Sequence, residues 1–247
     1  MFKVWQPLPV ILLCSEKNFL QEILMGVKLF LIRHGQTESN AEGRYQGSRD
    51  TELTETGLRQ AYLAKKYLSN VRLDAIYSSP MKRATDTARI IAEDTQLELK
   101  IRDNLKELNF GKWEGLKFEE INERYKKDYQ AWLNDPYKNP PTQGESFGKL
   151  QERAGDEIKK IVSENKDGSN VAVITHGGVI LALLVDWLQI PPKCWRSLIQ
   201  RQGAINIVVI SDGFPYISTI NYTGHIKPVY DEDEDMVIEK YSRIKEN

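Results

Sequence analysis

Two apolar runs along the chain stop on the same kind of residue. Lys28-Leu29-Phe30-Leu31-Ile32 is apolar at nearly every position, the pattern of a strand buried on both faces, and it ends on Arg33-His34-Gly35. Val171-Ala172-Val173-Ile174-Thr175 repeats the pattern and ends on His176-Gly177-Gly178. Around these runs, helical spacing alternates with short strands. A polar loop from Gly43 to Thr51 follows the strand Val27–Ile32. Thr54 then offers an N-cap, and Leu58, Ala61, Tyr62 and Leu68 predict a helix to about Ser69. Asp74–Ser78 reads as the next strand. Ser79-Pro80 predicts a helix start, with serine as cap and proline in the first turn, and Met81, Ala84, Ala88, Ile91 and Ala92 give the stripe. A short strand near Leu97–Ile101 follows.

The middle of the chain predicts one helix from Phe118 to about Leu133, ended by Pro136, Pro140 and Pro141. A helix from Ser146 to about Val162 leads through the turn Gly168-Ser169-Asn170 into the strand Val171–Thr175. Val179–Leu188 is apolar on nearly every side, as in a buried helix, and Pro191-Pro192 ends it. Ala204–Ile210 and Tyr216–Asn221 read as two late strands joined at Asp212-Gly213. The alternation predicts an α/β fold: a single three-layer α/β/α domain with a mostly parallel central sheet and a small helical cap from Lys117 to Ser146.

The domain is expected over residues 26–225. Residues 1–25 read as an N-terminal extension outside the core, because Met25-Gly26 directly precedes the first strand; a short docking helix is the alternative. The apolar stretch Val10-Ile11-Leu12-Leu13 is short for a signal peptide, and Leu13 before Cys14 argues against a lipoprotein site. Residues 226–247 form a charged tail in which Asp231 to Asp235 are all acidic.

Composition narrows the function little. The chain has 247 residues, 28% charged, with a formal net charge of -1, so no global field points to nucleic acid or an anionic membrane. No segment approaches the roughly 20 apolar residues that span a bilayer. The two cysteines, Cys14 and Cys194, share no ligand or disulfide spacing, and a cytoplasmic location is the default. No metal site is expected, since no carboxylate or histidine cluster has ligand spacing. The sequence leaves a homodimer open.

Two of the chain's three histidines end buried strands. Parallel sheets place ligand sites at that edge, so His34, His176 and Arg33 together suggest chemistry on an anion. A neutral imidazole at His34 can attack phosphorus and form a phosphohistidine. Arg33 and Arg83 offer planar paired donors matched to phosphate. Arg83 falls in the first turn of its helix, whose N–H groups are expected to add to the anion site. His176 is placed to donate to a phosphoryl oxygen as charge builds. His225 is read as non-catalytic.

Four blocks in order give the chain a family resemblance. Leu31-Ile32-Arg33-His34-Gly35 with Thr37 and Asn40, Ser78-Ser79-Pro80-Met81-Lys82-Arg83-Ala84, Glu107 with Phe110–Gly115, and Thr175-His176-Gly177-Gly178 resemble the histidine phosphatase superfamily, which includes cofactor-dependent phosphoglycerate mutases. The resemblance runs from about Val27 to Asn221. It implies His34 as nucleophile, Glu107 as proton donor with Glu114 structural, and Asn40, Gln46, Gly47 and Gly177 as further phosphate-site positions. It implies no cofactor and no metal. The compact segment between Glu107 and His176, and Tyr45-Gln46-Gly47, resemble phosphatases more than mutases. Trp195-Arg196, Gly203–Asn206 and Pro141–Ser146 resemble the bacterial α-ribazole phosphatase branch, although Gln143 stands where glycine is usual. The expected partner is a small phosphorylated metabolite, α-ribazole 5′-phosphate or the substrates of a broad-specificity phosphatase first, with sugar phosphates and phosphoserine as rivals. A phosphoglycerate mutase and a catalytically idle binding protein are the alternatives.

Overall fold

A computed structural model of the chain describes residues 25–226. The expected extension through residue 24 and the expected tail from residue 227 lie outside the described residues. Six strands form one sheet: β1 (Val27–Arg33), β2 (Ala75–Ser78), β3 (Leu99–Ile101), β4 (Asn170–Thr175), β5 (Ile205–Ser211) and β6 (Phe214–Tyr222). Their order is β3-β2-β4-β1-β5-β6. The first four strands in that order pair in parallel, and β5 and β6 form an antiparallel hairpin against β1.

Alternate residues of each central strand enter opposite cores. On one face Leu29, Leu31, Tyr77, Val171 and Val173 meet Leu150, Ala154 and Ile158 of α6 (Phe147–Ser163) and Val179 and Leu183 of α7 (Gly177–Trp187). On the other, Phe30, Ile32, Ile76, Ala172 and Ile174 meet Ala64 and Leu68 of α2 (Glu55–Leu68) and Ala84, Ala88 and Ile91 of α3 (Lys82–Ala92). Each such leucine or isoleucine buried in full contributes about 1.5–3 kcal/mol. Both faces are covered, which is why β1 and β4 read as continuous apolar runs. A short helix α1 (Glu38–Ala41) follows β1, and α4 (Phe118–Arg124) and α5 (Lys126–Asn134) form the cap.

Three local expectations are corrected. The single helix expected over the middle breaks at Tyr125, whose φ of -130° leaves the helical region while its ring packs on the core. Leu58 and Tyr62 are 47% and 56% exposed, so α2 buries Gly57, Gln60, Ala61, Ala64 and Leu68 instead. That face turns toward the loop after β1: a Cβ at Gly57 would sit 2.0 Å from the Gln36 carbonyl oxygen, and one at Gly35 would sit 2.3 Å from that of Gly57. Two glycines thus let α2 brace the His34 loop. Finally, α3 starts at Lys82 with Met81 as N-cap, not at Ser79-Pro80.

Gln143 stands at φ +60°, in the left-handed region that favours glycine. Relieving it is worth about 1–2 kcal/mol, part of which the freer unfolded glycine chain takes back. Gln143→Gly is therefore expected to raise stability by about 0.5–1 kcal/mol, read as a higher urea midpoint. A lower midpoint would show that the glutamine side chain holds the loop.

Candidate active site

The register of the parallel strands assembles the site. Arg33 pairs with Thr175 and Ser78 with Ile174, so the residues just past β1, β4 and β2 emerge side by side. These are His34, His176 and Ser79. The two imidazoles lie 5.2 Å apart, centroid to centroid, at 62°. Both are buried. His34 Nδ1 lies 2.7 Å from the Gly35 carbonyl oxygen. A carbonyl only accepts, so the proton sits on Nδ1 and Nε2 keeps its lone pair. Burial first, then the Arg83 and Arg33 guanidiniums, hold His34 well below the ordinary histidine value. Burial and Arg83 do the same for His176. Both rings are neutral at neutral pH.

Arg33 donates from Nη1 to the Gln200 carbonyl at 2.5 Å, and its buried Nε has no protein partner. Arg83 is closed off from solvent. Its Nη1 donates to the Arg49 carbonyl at 2.8 Å and to Asp50 at 3.1 Å, and its Nη2 donates to the Gly47 carbonyl at 2.8 Å. Its Nε is also buried without a partner. Burial lowers its pKa, with Glu107 and Asp50 opposing, and the guanidinium stays charged. The expectation that the N-terminus of α3 adds to the anion site is revised. The Lys82 and Arg83 N–H groups are spent on the Asp50 carboxylate, which caps the helix from outside.

Glu107 is half-buried, and its carboxylate is held by two backbone donors, Leu108 N–H at 2.8 Å and Gly178 N–H at 3.2 Å. A Cβ at Gly178 would sit 2.3 Å from Glu107 Oε1, so a side chain there would push the carboxylate out of its place beside the first turn of α7. Glu114 accepts instead from Ser48 N–H and Phe110 N–H, at 2.8 and 3.1 Å, and ties two loops together.

A cavity of about 200 Å³ lies at this strand edge; His34 lines it, while His176, fully buried beside His34, does not. Arg33, His34, Arg83 and Glu107 line its polar end, with Asn40, Gln46, Gly47 and Gly177. Asn40 accepts from Thr37 N–H at 3.2 Å. Gln46 accepts from Thr37 Oγ1 at 3.1 Å and donates to Thr51 Oγ1 at 2.7 Å, so its amide already has two protein partners. The far wall is aromatic: Tyr45, Phe110, Tyr129, Trp132, Phe147 and Trp195. Tyr129 and Trp132 are buried in the core and line the cavity as well. Ser79, Asp50 and Arg196 have site positions that the sequence did not assign. The signal for Ser79 was its place one residue past a parallel strand, shared with both histidines. His225 packs on Tyr67 and Tyr222, and does not line the cavity. Among the described residues, no three His, Cys, Asp or Glu side chains gather to hold a metal, and no helix is long and apolar enough to cross a membrane.

Burial also holds His225 down, to about 4. All three imidazoles thus have folded-state values below the ordinary 6.5. Between that value and the lowered ones, the unfolded chain binds more protons. Stability is then full above the unfolded value and falls as pH drops below it. The urea midpoint is expected to be lower at about pH 5 than at about pH 7, and His225→Gln should remove part of the slope. A midpoint that rises on acidification would contradict neutral burial.

The sequence matches the histidine phosphatase superfamily (branch 1) over residues 29–223. It is 32% identical over 206 residues to phosphoserine phosphatase 1 of Hydrogenobacter thermophilus, covering 83% of this chain and 97% of that one. It is 32% identical over 195 residues to the adenosylcobalamin/alpha-ribazole phosphatase of Escherichia coli, covering 79% and 96%. Among solved structures, Bacillus stearothermophilus YhfR superposes with a TM-score of 0.77 at 30% identity, covering 81% of this chain and 99% of that one. The chain belongs to the histidine phosphatase superfamily, branch 1, and is a phosphatase-type hydrolase.

Proposed function

We propose that this chain hydrolyses a small phosphomonoester through a phosphohistidine at His34, without a metal. The observation that carries this reading is the imidazole of His34: buried, neutral, its proton held on Nδ1 by Gly35, and set between two arginines. The Nε2 lone pair attacks phosphorus, and the bond from phosphorus to the ester oxygen breaks. Arg33 and Arg83 hold the phosphoryl oxygens, each with one unspent Nε donor. The carboxyl group of Glu107 passes a proton to the departing oxygen as that bond breaks. Water then attacks phosphorus, the P–N bond breaks back to His34, and Glu107 recovers its proton from that water. The products are the alcohol and inorganic phosphate. Asn40, Gln46, Gly47 and Gly177 shape the phosphate end. We assign this activity to residues 26–225 and to the cytoplasm, where a free Cys194 stays reduced.

The aromatic wall supports a flat, largely apolar leaving group, and α-ribazole 5′-phosphate is the substrate we put first. Arg196 supports a second reading. It lines the cavity and, among the described residues, makes no ion pair, so it suits a leaving group with a carboxylate such as phosphoserine. The protein in EDTA, given p-nitrophenyl phosphate, α-ribazole 5′-phosphate and phosphoserine, should release phosphate from all three. The highest kcat/KM is expected for α-ribazole 5′-phosphate. A preference for phosphoserine that Arg196→Gln abolishes would establish the second reading. Phosphate release from none would overturn the phosphatase mechanism. Turnover that required 2,3-bisphosphoglycerate would indicate a mutase, which the phosphatase relatives do not favour.

A further inference from the structure

We propose that Ser79 is a positioning residue that fixes the tautomer of His176, so that His176 presents a proton and not a lone pair to the phosphoryl group. Ser79 and His176 are both fully buried. Ser79 Oγ lies 2.7 Å from His176 Nε2. The other ring nitrogen, Nδ1, is closed off from solvent and has no protein partner.

A hydroxyl and a neutral imidazole nitrogen can bond in either direction. The surroundings of Ser79 decide between them. Met81 N–H reaches Ser79 Oγ at 3.4 Å and takes one of its lone pairs. Among the described residues, His176 Nε2 is the acceptor within reach of the hydroxyl proton. Turned elsewhere, that O–H would be a buried donor without a partner and His176 Nδ1 a buried acceptor without one, two unmet groups, whereas an O–H that donates to Nε2 leaves only the Nδ1–H unspent. The hydroxyl therefore donates to Nε2. A neutral ring that accepts at Nε2 carries its own proton on Nδ1.

The two histidines then share one tautomer and keep opposite nitrogens uncommitted. His34 spends its Nδ1–H on Gly35 and offers the Nε2 lone pair. His176 accepts from Ser79 at Nε2 and keeps an unspent Nδ1–H. The ring centroids lie 5.2 Å apart, and that N–H is the donor His176 has left for an oxygen on the phosphorus that His34 attacks. The opposite tautomer would turn a lone pair toward a phosphoryl oxygen. The catalytic meaning of this arrangement rests on the phosphohistidine reading; the tautomer itself does not.

The test is nitrogen NMR of the full chain carrying ¹⁵N-histidine, without substrate. Three imidazoles contribute, and His34→Ala and His225→Gln assign them. In the wild type, His176 is expected to show a protonated Nδ1 and a bare Nε2. Ser79→Ala should move the proton to Nε2 or mix the two forms, and Ser79→Thr should restore the wild-type pattern. With p-nitrophenyl phosphate, kcat of Ser79→Ala should fall about 10²-fold with KM nearly unchanged. A wild-type His176 protonated on Nε2 overturns the proposal, whether or not the variants fold. So does an unchanged spectrum in folded Ser79→Ala. The expected spectrum from a protein that releases no phosphate would leave the tautomer standing and sink only the phosphatase mechanism.

Discussion

His34→Ala is expected to lower kcat/KM by about 10⁴-fold or more, to the turnover that the arginines support by binding alone. The variant loses the nitrogen that bonds to phosphorus, and no neighbour replaces it. His176 is 5.2 Å away by ring centroid, but its Nε2 is committed to Ser79. Glu107 is held by two backbone N–H groups. The fold should survive, since one buried polar side chain is removed from a strand end and the β1 register is held by backbone pairing with β4 and β5. Core truncations of this size cost about 0.5–3 kcal/mol. Steady-state kinetics and the intact mass of protein quenched at alkaline pH during turnover check the two halves together. The wild type should carry one phosphoryl group that the variant lacks. A variant within tenfold of wild type would remove His34 from the nucleophile's role.

The strand ends were the most legible part of this chain. Continuous apolar runs at Leu29–Ile32 and Val171–Ile174 mark strands covered on both faces, and a histidine beside glycine at such an end has little to do in a core. Local patterns also gave the cap at Thr54 and the start of the helix at Ser146, the residue that caps it. What the sequence hid depends on distance. Asp50 caps α3 from a loop more than thirty residues upstream, so the Ser79-Pro80 start signal misled. Ser79 was legible as a cap and as a strand-end residue, but its partner at His176 comes from another strand. The aromatic wall draws on Tyr45, Phe110, Trp132, Phe147 and Trp195, which no periodicity connects. Leu58 and Tyr62 looked like core positions because the pattern cannot show that Gly57 must pack against the Gln36 backbone.

Arg83 carries two loads, and the second large expected effect separates them. Arg83→Ala removes a donor from the phosphate end and leaves the Gly47 and Arg49 carbonyls and the Asp50 carboxylate without their guanidinium. Removing one partner of a buried ion pair costs about 3–5 kcal/mol. Asp50 is 31% exposed and keeps the α3 N–H groups, so the low end, about 3 kcal/mol, is expected. kcat/KM should fall about 10²–10³-fold as well. A loss of activity in a destabilised protein proves little about chemistry, and Arg83→Lys resolves this. The ammonium keeps the charge beside Asp50 but cannot serve two loop carbonyls and the phosphoryl group from one planar fork. Urea unfolding should then show stability largely restored, while kcat/KM stays at least about 10²-fold down. If both recover together, the guanidinium matters to this site only as a charge. If neither recovers, its fork is needed first to build the loop over residues 47–50, and its contact with phosphate comes second.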